Sequence, residues 1–76
     1  MRDFVDFLVG QIVDRDSYEI VLLDDGDRVD IKILVDKDSV ARLIGKGGRL
    51  AKAIRTVVKA ASQGMDRHYD VFIEER

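Results

Sequence analysis

Residues 45–48 read Gly-Lys-Gly-Gly between two stretches of helical periodicity, and this link limits the fold more than any other feature. Glycine weakens a helix interior and commonly closes a helix in a left-handed conformation. Three glycines in four positions therefore force one helix to stop and another to start. The first is expected to run to about Ile44, capped by Asp36, Asp38 or Ser39. The second is expected from about Gly48 to Ser62. At 100° per residue, Arg49, Lys52, Arg55 and Lys59 fall within a sector of about 120°. Leu50, Ile54, Val57, Val58 and Ala61 share another sector, which is the expected core face. Ala53 and Ala60 lie beside it, where a small side chain permits close packing.

The flanking segments supply a further helix and a sheet. Phe4, Val5, Leu8, Ile12 and Val13 recur at helical spacing, which predicts an amphipathic helix over residues 2–14. Asp3 and Asp6 sit in its first turn, where the helix dipole favours them. Tyr18 to Leu23 is rich in β-branched and aromatic residues. Val29, Ile31, Ile33 and Val35 alternate with Asp30, Lys32 and Leu34, as in a strand with one buried face. Asp24-Asp25-Gly26-Asp27 between them is a hairpin signal, because glycine accepts the positive φ of a tight turn. Gln63-Gly64-Met65-Asp66 reads as a loop, and Tyr69, Val71 and Ile73 alternate with Asp70, Phe72 and Glu74 in a last strand. The order is α-β-β-α-α-β, an α+β chain with a three-stranded sheet packed against three helices. Its 76 residues, without proline or internal repeat, make one domain over residues 1–76.

Charge is segregated along the chain. No acid occurs between Asp38 and Asp66, an interval that holds Arg42, Lys46, Arg49, Lys52, Arg55 and Lys59. The interval carries +6 and the remainder −8, within a net charge of −2. Without interspersed acids, the basic helix face has no local salt-bridge partners, and it suits a polyanion. The start of the second helix offers its N–H groups and positive dipole end to a phosphate. Lys46 adds a mobile ammonium at the tip.

Other chemistries fit poorly. There is no cysteine, so neither a disulfide nor a thiolate metal site is available. His68 is the only histidine, which leaves no catalytic dyad, no histidine cluster and no sign of an enzyme. The acids at 24, 25, 27 and 30 do not have EF-hand spacing, and no Ser or Thr follows Lys46 as a P-loop requires. Position 50, where a dinucleotide fingerprint has its last glycine, is Leu50, and the link follows a helix rather than a strand. No cofactor is implied. Acids near the N-terminus and the lack of an apolar run of ~20 residues predict a soluble cytoplasmic protein that does not engage membranes.

The apolar pair Leu43-Ile44, the loop Gly45 to Gly48 and the apolar Ile54 six positions later resemble the signature of KH domains. The element order is similar to the bacterial type II arrangement. The run from Arg49 to Ala60 resembles the small bacterial single-KH proteins of the KhpA group. The chain lacks the proline that members often carry near the end of the first helix or at the entry to the second.

The resemblance implies a loop that clamps the backbone of about four nucleotides of single-stranded RNA, with the bases in a groove. The implied RNA-binding residues are Arg42, Ile44, Gly45, Lys46, Gly47, Gly48, Arg49, Lys52 and Arg55. Phe4, Phe7, Tyr18, Tyr69 and Phe72 all lie outside residues 36–62, so little aromatic stacking is expected. Val40, Leu43, Ile44 and Leu50 are expected to form an apolar floor. The resemblance also implies an RNA chaperone or post-transcriptional role, and pairing as a homodimer or with a larger KH-domain protein. A link to cell elongation and cell-wall homeostasis comes with it. The competing reading is a protein-interaction module whose RNA contact is incidental.

Overall fold

Parallel pairing between the second and last strands sets the architecture. In the computed structural model, which describes residues 1–76, β1 (Tyr18–Asp25) and β2 (Arg28–Val35) form an antiparallel hairpin. β3 (His68–Glu75) then pairs in parallel with β2, Arg28 opposite His68 and Val35 opposite Glu75. The sheet order is β1-β2-β3. A parallel return needs a crossover. Here α2 (Lys37–Ile44) and α3 (Arg49–Ser62) provide it, while α1 (Arg2–Gly10) precedes the sheet.

The central strand explains the core. Val29, Ile31, Ile33 and Val35 of β2 are all buried, as alternation requires when one face is covered and both neighbours are paired. They meet Val5 and Val9 of α1, Leu43 of α2, Ile54 and Val58 of α3, Ile20 of β1 and Val71 of β3. The opposite sheet face mixes apolar side chains such as Leu23 and Phe72 with ion pairs, Arg28 Nη2 lying 2.8 Å from Asp70 Oδ2 and Lys32 Nζ 3.4 Å from Glu74 Oε2. The hairpin turns on Gly26-Asp27, with Gly26 at φ +73° and its N–H donating to Asp24 Oδ1 at 3.1 Å.

Two expectations are corrected. α1 ends at Gly10, four residues before the expected end at Asp14. Asp14 is extended, and a short 3-10 turn at Arg15–Ser17 leads into β1. Glycine and the β-branched pair Ile12-Val13 are weak helix formers, and Val13 gains more by entering the core. The core face of α3 is also narrower than its apolar sector. Ala51, Ile54 and Val58 are buried, whereas Leu50, Val57 and Ala61 are exposed. Asp36 does precede α2 as its cap residue, yet no side chain caps that helix. The Asp36 carboxylate instead accepts from Arg76 Nε at 2.6 Å, tying the end of β3 to the start of α2.

Candidate nucleic-acid interface

The link between α2 and α3 is built on backbone conformations that side chains resist. Gly45 has φ +80° and ψ 170°, a region essentially restricted to glycine. Gly47 and Gly48 are left-handed, at φ +65° and +79°. Lys46 alone has an ordinary backbone. The link forms a 3-10 turn in which the Gly48 N–H donates to Gly45 O at 3.1 Å and the Arg49 N–H to Lys46 O. Two N–H groups expected to be open to a ligand are thus consumed by the turn. No side chain caps α3.

The glycines differ in surroundings. A Cβ on Gly45 would lie 2.9 Å from Leu50 Cγ, so that glycine permits the close approach of α3. Nothing lies within 4 Å of a Cβ built on Gly47 or Gly48, so this side of the turn is open to an incoming chain. Lys46 and Gly47 are exposed at the tip.

All six basic residues of the acid-free interval lack an ion-pair partner. Of the seven other basic residues, Arg15, Arg28, Lys32, Arg67 and Arg76 are paired with acids. The segregation visible along the sequence therefore survives folding. Arg42, Lys46, Arg49, Lys52, Arg55 and Lys59 are exposed. The last four run along one flank of α3, and Arg55 and Lys59 face a depression of about 290 Å³ between α3 and the edge strand β3. A second depression, of about 560 Å³, continues it past Lys59 toward the α3–β3 loop.

These depressions bring in residues that lie far from the link in sequence. Tyr69 lines both, and Phe72 lines the first. Parallel pairing of β3 with β2 thus places two rings from outside residues 36–62 beside the basic flank of α3. Arg28 and Asp70 also line both depressions. At the far end Arg67 donates from Nε to Gly26 O at 2.9 Å, and its guanidinium pairs with Asp24. That pairing holds the Asp24 carboxyl below its ordinary range and raises Arg67.

The expected apolar floor is only partly present. Leu43 is fully buried in the core, Val40 and Ile44 are half-buried, and Leu50 is exposed beside the link. On the flank of α3 away from the basic residues, Leu50, Ala53, Val57 and Ala60 form an exposed apolar strip, with Val57 41% accessible.

A family model described as KhpA/KhpB, KH domain matches residues 2–73. The chain is 37% identical over 68 residues to the RNA-binding protein KhpA of Halalkalibacterium halodurans, covering 88% of this chain and 90% of that protein. It is 39% identical over 72 residues to the RNA-binding protein KhpA of Oceanobacillus iheyensis, covering 91% and 95%. For the Bacillus subtilis protein of the same name the identity is 34% over 62 residues, covering 80% and 76%. No solved structure gives a significant match. The glycine turn between two helices, the α-β-β-α-α-β order and the match over nearly the whole chain place it in the KhpA/KhpB family of KH domains.

Proposed function

We propose that the chain binds short single-stranded RNA, with the Gly45–Gly48 turn and the basic flank of α3 on the phosphates and the α3–β3 groove on the bases. The carrying observation is that all six basic residues between Asp38 and Asp66 lack acidic partners, while most cations elsewhere are paired. Unpaired cations on one surface release counterions when a polyanion binds, which supplies affinity without base recognition. The open space over Gly47 admits a sugar-phosphate backbone. Tyr69 and Phe72 offer faces on which an unstacked base can rest. The names of the relatives support the same reading. The test is a titration of labelled single-stranded RNA at several salt concentrations. Log affinity should fall with log salt, and a slope near zero would defeat the proposal.

The role we propose for this binding is that of an RNA chaperone or post-transcriptional regulator in the cytoplasm. The link to cell elongation and cell-wall homeostasis rests on the family resemblance.

A protein-interaction role has its own support in the exposed strip Leu50, Ala53, Val57 and Ala60. Small side chains let a second helix approach closely, and the strip lies on the other flank of α3 from the basic residues. Pairing there, with a second copy or a larger KH-domain protein, leaves both grooves open. Two linked grooves raise apparent affinity through effective concentration.

A further inference from the structure

The free edge of the sheet runs along β3. The N–H groups of His68 and Arg76 reach across to Asp27 O and Val35 O at the β2 side, 2.8 Å in each case. Backbone polar groups of successive strand residues point to opposite sides, so those of Tyr69, Val71 and Ile73 face the unpaired edge. One of them is occupied. The Val71 carbonyl accepts from Arg55 Nε at 3.2 Å, across from α3. This is the one side-chain hydrogen bond that Arg55 makes, and its two terminal NH₂ groups remain unused.

The bond changes what the groove presents to a base. It removes the edge acceptor at Val71 and leaves the Val71 N–H beside a guanidinium fork. It also holds that fork in the depression lined by Lys59, Tyr69 and Phe72. Asp70 is the carboxylate there, and Arg28 answers it at 2.8 Å. The wall beside the bases therefore holds a free guanidinium fork, while its one carboxylate is already paired.

We infer that Arg55 is a base-selecting residue and that it selects a base with two adjacent acceptors, guanine or cytosine, over adenine and uracil; the inference rests on the reading of the groove as an RNA site. Guanine presents two adjacent acceptors, O6 and N7, which match the two N–H groups of a guanidinium fork. An unpaired cytosine presents a second such pair, O2 and N3, whereas adenine sets its amino donor beside both N1 and N7, and uracil has the N3–H donor between its two carbonyls. An arginine already anchored through Nε loses less freedom when its fork engages, and a lysine has no fork at all. The selection acts at one nucleotide, while phosphate contacts act along the whole strand.

The test uses the intact protein and short oligoadenylates with one internal position changed to G, U or C, read by fluorescence anisotropy. A single G should tighten binding by at least about fivefold over the all-A strand, the low end for one bidentate contact. The C strand should gain similarly and the U strand little or nothing. In Arg55→Lys the G-to-A ratio should fall to near one, whatever loss is common to all four strands. A wild-type ratio near one overturns the inference, as does a ratio that survives in Arg55→Lys. The wild-type ratio needs no variant, so a folding defect in Arg55→Lys leaves the test decisive. If none of the four strands binds the wild type, the RNA reading fails first and the base assignment falls with it.

Discussion

A Cβ on Gly45 would come within 2.9 Å of Leu50 Cγ and 3.0 Å of the Leu50 backbone nitrogen. Gly45 is thus fixed both by its conformation and by the helix packed against it. Gly47, two residues on, has a left-handed backbone but open space around it.

The two glycines should therefore fail differently. Gly45→Ala should cost on the order of 3 kcal/mol, since the backbone region excludes side chains and backbone atoms obstruct the methyl group. Gly47→Ala should cost about 1 kcal/mol, the strain of a left-handed alanine. Thermal denaturation of the two variants checks the order. Equal losses would mean that the contact with Leu50 is unimportant.

Acid should weaken the fold through Asp6 and Asp24. The Tyr18 hydroxyl donates to Asp6 Oδ1 at 2.7 Å and, with Arg15, holds that carboxyl low, as Arg67 does for Asp24. A carboxyl lowered by folding stabilises the native state above its unfolded pKa of about 3.9 and loses that contribution as pH falls through the folded value. At the alkaline end, burial and then the bond to Asp6 push Tyr18 up to about 12. Its contribution is complete below an unfolded pKa of about 10 and is lost as pH rises toward 12. The melting temperature should fall on both sides of these windows. Asp24→Asn should flatten the acid limb, and Tyr18→Phe the alkaline limb.

Salt dependence should separate free cations from paired ones. Arg49→Ala and Lys52→Ala should each reduce the slope of log affinity against log salt by about 0.7, the value for one phosphate contact on a single strand. Lys32→Ala removes a cation paired with Glu74 on the far face of the sheet, and it should leave the slope unchanged. An equal effect from all three would reduce the interface to net charge.

The exposed strip on α3 should govern association. Ala53 is exposed, so Ala53→Glu should fold. If the strip joins two copies, sedimentation at micromolar concentration should show a dimer for the wild type and a monomer for this variant. A single 8.6 kDa species for the wild type at all concentrations removes the homodimer.

Local signals carried the element order, the turn at Gly26 and the helix stop at Gly45, because each depends on a few adjacent residues. The free charge of the α3 flank was also legible, since no acid lies near enough in sequence to pair with it. The groove was not. Tyr69, Phe72 and Arg28 join it only through the pairing of β2 with β3, across an intervening crossover of two helices. The exposure of Leu50 and Val57 was hidden for a related reason. Helical phase defines an apolar sector, but the sheet covers only the part around Ala51, Ile54 and Val58.

The most direct measurement is an RNA titration of the double variant Lys46→Asp, Gly47→Asp beside the wild type. Asp is tolerated in left-handed backbone better than most residues, and the space over Gly47 is open, so the fold should persist and circular dichroism should verify it. Two carboxylates at the tip repel phosphate and obstruct the approach of a backbone. Binding should be abolished in the folded variant. A folded double variant that binds RNA as tightly as the wild type would contradict the assignment of the turn as the RNA clamp.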